Sequence, residues 1–394
     1  MWLGQICSQF GDRLTQLVLI ALVAERAPGS TLTLAKVLVA TSLPALLINP
    51  IAGVYVDRWD RKRTMITCDL LRALALMALP WLAVFANGLG LYAGVFFIFG
   101  VATFFVPARL ALIPDLVPAN RLAQANSLLS SSGMIGSMII LLAGALLVEW
   151  VGVKPSCFIN ATSYLFSAAF ILFLISKKKF RPRAAASIGV IFLEIAEGLR
   201  ELWNHSKTRQ AALLLGFLMG GAGASVVAAT VLVQQTFGSV TKDLGFLSLW
   251  IGVGMLAGSV VFGKWGAGFS RRKVLGLSFL GCGVALWAFV GAVLGARSGF
   301  LAALASSFLG LWIAPVGIVA NTLVHESHPE RLHGRIFSGL GVMVNLSLIG
   351  SMLIAGRLVE QGGRGAFLAA VAGGFAAGGI WLLCYTKKCL SQPS

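Results

Sequence analysis

The chain has 394 residues, of which 58% are apolar and 11% charged, against about 25% charged in an ordinary soluble domain. Its 31 Lys and Arg outnumber its 14 Asp and Glu, giving a formal net charge of +17. So little polar surface excludes a soluble enzyme, a disordered tail and a disulfide-rich secreted scaffold. It also argues against nucleic acid as the target of the positive charge, because a basic groove needs polar surface around it.

A spanning helix needs about 20 mostly apolar residues. Twelve runs qualify, at 3–24, 34–56, 64–86, 89–112, 122–148, 156–176, 208–236, 244–265, 274–295, 299–323, 334–357 and 365–386. The runs are continuous rather than alternating, which excludes a β-barrel and predicts an all-α polytopic membrane protein. Pro44, Pro50, Pro80, Pro107 and Pro315 fall inside them, where neighbouring helices re-satisfy the freed backbone groups.

The first span carries Gln5, Gln9, Asp12 and Gln16, spaced 4, 3 and 4. At 100° per residue they occupy a sector of about 60°, a polar stripe that should face the bundle interior. Asp12 lies near mid-depth, where a carboxylate costs roughly 2.5–3.5 kcal/mol to insert. That makes it a candidate proton- or cation-binding switch. The plainer reading is that it pairs with Arg13 or another helix and only holds the fold.

The second span ends near Gly53, followed by Asp57 and the basic run Arg61-Lys62-Arg63. In the third span Asp69 and Arg72 are three apart, on one face, and are predicted to pair; Arg72 is also a candidate substrate contact. In the fifth, Asn126, Ser130, Gly133 and Ser137 again form a stripe spaced 4, 3 and 4. Small residues in such a stripe mean close helix packing or a cavity wall.

The segment 177–207 is polar and basic, and its Glu194, Glu197, Arg200 and Glu201 suggest a short amphipathic helix. Beyond it, Trp250, Trp287 and Trp312 could wall an apolar substrate. The six cysteines are scattered without a ligand spacing and read as small hydrophobes. His325, His328 and His333 stand without a cysteine beside them, and no metal site is expected. No phosphate-cradling, HExxH or GxSxG motif occurs, so no cofactor and no enzymatic activity are expected.

With twelve spans both termini share a side. Loops on that side carry 22 of the Lys and Arg, the opposite loops carry 7, and Arg13 and Arg72 lie within spans. The asymmetry places the termini and the long central loop in the cytoplasm. The basic clusters also repeat. Gly53 and Arg61-Lys62-Arg63 recur as Gly263 and Arg271-Arg272-Lys273, 210 residues on. Pro107 recurs as Pro315, and Pro118 with Arg121-Leu122 as Pro329 with Arg331-Leu332. Two six-span bundles follow, 1–176 and 208–394, joined by a cytoplasmic linker over 177–207. Two such halves with substrate held between them at mid-depth form a transporter architecture.

The 53–63 stretch, a Gly, an Asp four on and a basic cluster eight on, resembles the loop signature of the major facilitator superfamily. Ser8-Gln9-Phe10-Gly11-Asp12, Asp69-Leu70-Leu71-Arg72-Ala73, and Pro107-Ala108-Arg109 through Asn126-Ser127-Leu128-Leu129 resemble its bacterial macrolide and enterobactin efflux branch. The resemblance implies alternating access. Gly53 would then give a tight turn or close approach, and Asp57 would cap a helix or pair with Arg61 or Arg109. With Asp69 and Arg271 these residues would form the cytoplasmic gates.

Two positions depart from the family pattern. Ala267 stands where the second half would repeat Asp57, and the fifth span lacks the proline of proton-coupled exporters. The expected protein is a monomeric inner-membrane exporter, in contact with membrane lipids. Its substrate would be a hydrophobic or amphipathic small molecule (a drug or siderophore), exchanged for protons through Asp12. Lysophospholipid translocation is the alternative within transport, and a non-transporting scaffold or sensor the alternative outside it.

Overall fold

A backbone crossing lipid must satisfy its own polar groups, and this chain does so with helices. The computed structural model describes residues 2–56, 58–84, 88–174, 188–327 and 330–385. Among them run α1 (Trp2–Arg26), α2 (Thr31–Leu47), α3 (Asn49–Val56), α4 (Arg61–Leu82), α5 (Leu89–Leu116), α6 (Leu122–Val151) and α7 (Val153–Leu172). There follow α8 (Ile188–Asn204), α9 (Ser206–Phe237), α10 (Lys242–Trp265), α11 (Arg271–Val290), α12 (Gly299–Ser327), α13 (Glu330–Gly362) and α14 (Arg364–Tyr385). Among the described residues ten helices are long and apolar enough to cross a membrane; α2 and the Gly136–Val151 part of α6 are shorter apolar helices. Large apolar side chains such as Leu74, Trp81, Phe97, Trp150 and Phe166 point outward, as a lipid solvent allows.

The second apolar run, expected as one span, is two helices. Pro50 has no N–H to continue the ladder of α2, and the chain breaks at Ile48, whose N–H donates to the Pro44 carbonyl at 2.7 Å.

The chain forms two compact units, Met1–Arg26 with Val37–Phe192, and Ala27–Lys36 with Leu193–Ser394. In the first, α4 packs on α5 and α7, and α1 packs on α6 and α7. In the second, α10 packs on α12, α11 on α12 and α14, and α9 on α13. The α10–α12 crossing is set by glycines: a Cβ on Gly254 would collide with the Ser307 carbonyl, and one on Gly310 with the Ile251 carbonyl.

The turn before α2 belongs to the second unit through α13 and α14. Glu360 caps α2, its Oε1 accepting from Leu32 N–H at 3.1 Å and from the Ser30 hydroxyl at 3.2 Å. Thr31 Oγ1 donates to the Gly356 carbonyl at 3.1 Å, and Arg364 Nη2 to the Gly29 carbonyl at 2.7 Å. The amphipathic segment is α8, whose Glu197 and Glu194 meet Arg335 of α13 at 2.7 and 3.3 Å.

Candidate functional site: an arginine between two carboxylates

Arg72 is the largest fully buried side chain of the described residues. A guanidinium cannot lose its proton, so its burial must be compensated at every face. Its Nη1 donates to Asp12 Oδ1 on α1 at 2.7 Å, and its Nη2 to Asp69 Oδ1 one turn back on α4. Nη2 also reaches Ser8 Oγ at 3.2 Å, and Nε the Cys68 carbonyl at 3.4 Å. Two rings lie against the guanidinium, with Cζ 4.7 Å from the centroid of Phe105 on α5 and 4.5 Å from that of Tyr164 on α7. Four helices thus converge on one charge.

The two carboxylates differ in access. Asp69 is wholly buried, whereas the Asp12 side chain is 43% exposed. Asp12 is therefore the exposed end of the cluster. It is fixed from the other side by the Tyr164 hydroxyl, which donates to Asp12 Oδ1 at 2.9 Å. Asn160, one turn before Tyr164, donates to Thr15 Oγ1 at 2.9 Å and to the Gly11 carbonyl at 3.1 Å, pinning α7 to α1. Gly11 permits this approach: a Cβ there would stand 2.7 Å from the Tyr164 ring. Arg109 on α5 also lies close enough to feel the Asp12 charge.

The structure joins Asp12, which the sequence offered as a separate feature, to the Asp69–Arg72 pair. Asp12 pairs with Arg72 and not with Arg13, whose Nη1 donates instead to Gln16 Oε1 at 3.3 Å. Gln5 is buried and bonds the Leu129 carbonyl of α6 at 3.4 Å, and Gln9 lies against Gly133 of α6. Those two therefore face a neighbouring helix, while Asp12 turns to α4 and α7. The side chains of Asn126 and Ser130 and all of Asp57 lie outside the described residues. Tyr164, Asn160, Thr15 and Ser8 were not anticipated. A signal existed in Ser156, Asn160, Tyr164 and Ser167, a polar row on α7 spaced 4, 4 and 3 and buried throughout.

At the ends of the helices two expectations change. Gly53 lies inside α3, without a left-handed backbone and, among the described residues, with open space where a Cβ would stand, so neither a tight turn nor a close approach is seen there. The cap on α4 is Asp60, accepting from Arg63 N–H at 2.8 Å, because the helix starts at Arg61. Arg61 pairs with Asp115 at 2.6 Å and donates to the Ala111 carbonyl at 2.8 Å, both on α5. Arg271, its counterpart, pairs with Glu326 of α12 at 2.6 Å. Lys62 bonds the Leu172 and Leu174 carbonyls at the end of α7, each at 2.7 Å; Arg272 bonds those of Leu382, at 2.7 Å, and Leu383 near the end of α14. Lys62 and Arg272, and their acceptors Leu172 and Leu382, are each 210 residues apart. The repeat seen in the sequence is therefore carried by equivalent contacts.

A multi-pass helical membrane protein with repeated capping contacts and a charge cluster deep in its first unit is a membrane carrier. Residues 1–248 match the Major Facilitator Superfamily, and the chain belongs to that superfamily. It is a transporter, not an enzyme. A proposed bacilysin exporter of Bacillus subtilis (strain 168), BacE, is 29% identical over 329 residues, covering 81% of this chain and 78% of that protein. Macrolide efflux protein A of Streptococcus pyogenes is 26% identical over 365 residues, covering 91% of this chain and 89% of that one. Among solved structures, a single-residue mutant of the nucleoside transporter NupG shares the fold with a TM-score of 0.75 at 14% identity, over 98% of this chain and 99% of that one.

Proposed function

We propose that this transporter exports a hydrophobic or amphipathic small molecule in exchange for protons, by alternating access of two six-span halves with both termini in the cytoplasm. The relatives named for efflux support the direction. The observation that supports the coupling is the half-exposed Asp12 carboxylate bonded to the wholly buried Arg72.

The charge arithmetic of the cluster gives the mechanism. With Asp12 ionised, one guanidinium faces two carboxylates and the cluster carries −1. With Asp12 protonated, Arg72 and Asp69 balance and the cluster is neutral. A neutral cluster is cheaper to enclose in a low-dielectric interior, whereas the −1 state draws on a cation beside Asp12, either Arg109 of α5 or a bound solute, or on water. Proton and substrate thus compete for one carboxylate, which favours amphipathic substrates bearing a positive charge.

Proteoliposomes with an imposed pH gradient test this. Asp12→Asn fixes the cluster near its neutral state; gradient-driven transport should fall to background while the protein stays folded. Retained gradient-driven transport in that variant rejects the coupling role. The assay should compare macrolides, other cationic drugs, siderophores and lysophospholipids, since the lipid reading predicts transport that ignores the proton gradient.

A further inference from the structure

A second polar feature lies far from the Arg72 cluster, in the second unit. At the Phe237 end of α9, remote from α8, a cavity of about 370 Å³ opens between α9, the π-helical turn Gly291–Gly295 and the start of α14. Its apolar lining includes Leu232 and Leu294, and its polar lining is Gln235, Thr236, Arg297 and Arg364. No carboxylate lines it, and neither arginine forms an ion pair among the described residues.

The donors are left over. Arg364 spends Nη2 on the Gly29 carbonyl at 2.7 Å, while its Nε is buried without a hydrogen-bond partner. Arg297 is exposed and carries a left-handed backbone, φ 46°, just beyond a helical turn where glycine is usual. Two permanent cations in one cavity repel each other, and each presents donors in a planar fork. The group that satisfies both is an anion with several acceptor oxygens, bridged between the guanidiniums. The Gln235 amide and the Thr236 hydroxyl add neutral donors, and the two leucines suit an apolar tail.

We propose that this cavity is an oxyanion site for a phosphate group, held by Arg297 and Arg364. It lies where the candidate spans Ser206–Phe237 and Arg271–Gly295 end and Arg364–Cys384 begins. The phosphate is supplied either by an anionic phospholipid or by a free phosphate. The proposal is independent of the transport reading, because it concerns other residues in the other unit.

The test uses the full chain in two settings. In phosphatidylcholine nanodiscs, inorganic phosphate is titrated and the thermal midpoint followed, with chloride at equal ionic strength as the control. In parallel, protein purified in micelles containing phosphatidylglycerol is weighed by native mass spectrometry to count retained lipids. A saturable rise with phosphate identifies a free anion; retained phosphatidylglycerol without that rise identifies the headgroup; either supports the site. Arg297→Gln, at an exposed position that the fold does not need, should weaken the response at least tenfold, with Arg297→Lys in between. Arg364→Gln should do the same but also loosens Gly29, so Arg297 is the decisive position. Absence of both responses, or responses that survive Arg297→Gln, overturns the proposal.

Discussion

Replacing Arg72 with methionine keeps most of the side-chain volume and deletes the charge. Asp69 is then a buried carboxylate with no counter-charge, and Ser8 and Asp12 lose a donor. Removing one partner of a buried ion pair costs about 3–5 kcal/mol, most of it the penalty on the charge left behind. The two ring faces at 4.5 and 4.7 Å lose their cation as well, up to about 2 kcal/mol each when desolvated. Methionine recovers part of that by packing its thioether between the rings. The expected net loss is therefore about 3–5 kcal/mol, measured by equilibrium unfolding of the purified protein in mixed micelles. The double variant is the sharper test. Adding Asp69→Asn to Arg72→Met removes the uncompensated charge and should restore about 2 kcal/mol or more, although Asp69→Asn alone destabilises. Strict additivity of the two changes, or a loss below about 1 kcal/mol for Arg72→Met, would show that the cluster is not held by charge compensation.

Two further expectations concern packing and the helix ends. Gly11→Ala would place a methyl 2.7 Å from the Tyr164 ring and 2.9 Å from Ser163 Oγ, forcing α1 and α7 apart; a loss of about 1–3 kcal/mol is expected in the same unfolding assay, and an unchanged stability contradicts the close approach. Arg61→Ala should cost more than Arg271→Ala. The Arg61–Asp115 side chains are 27% and 17% exposed and Arg61 has a second acceptor, whereas those of Arg271 and Glu326 are 39% and 50% exposed. About 1–3 kcal/mol is expected for the first and under 1 kcal/mol for the second, the latter vanishing in high salt; equal losses would contradict this.

The helical class was legible because lipid leaves so few options for a chain this apolar. The repeat was legible because Arg61 and Arg271 are charged residues in an apolar text, and their spacing survives divergence around them. Asp12 and Arg72 stood out for the same reason, as costly groups at membrane depth. Their pairing did not, since a helix sequence gives the face of a residue but not which helix it meets, and sixty residues separate them. Tyr164 was overlooked because a tyrosine in an apolar run resembles an interfacial anchor; its role depends on Gly11 opposite, on another helix. At Gly53 the pattern misled. The glycine belongs to the loop signature, yet α3 runs through it and the cap falls to Asp60, because helix ends are set by local competition that a motif does not encode.

The same spacing that equates the helix ends separates their interiors. Adding 210 to Asp69 and Arg72 leads to Phe279 and Cys282, both wholly buried. Where the first unit builds an ion cluster, the second builds an aromatic one: Phe279 meets Phe217 and Phe375 at centroid distances of 5.5 and 6.0 Å, and the last two meet at 5.4 Å. One scaffold therefore holds its helices together in two ways. The aromatic cluster, built of three phenylalanines, carries no charge. The ion cluster has a half-exposed member, Asp12, whose protonation on the proposed reading changes the net charge by one. A device that couples an ion gradient to movement needs one half that responds to the ion and a second against which the response is expressed. On the proposed reading, the wholly buried charges among the described residues, Asp69 and Arg72, lie in the first unit because a second titrating cluster at the equivalent place would answer the same gradient and cancel the difference between the halves.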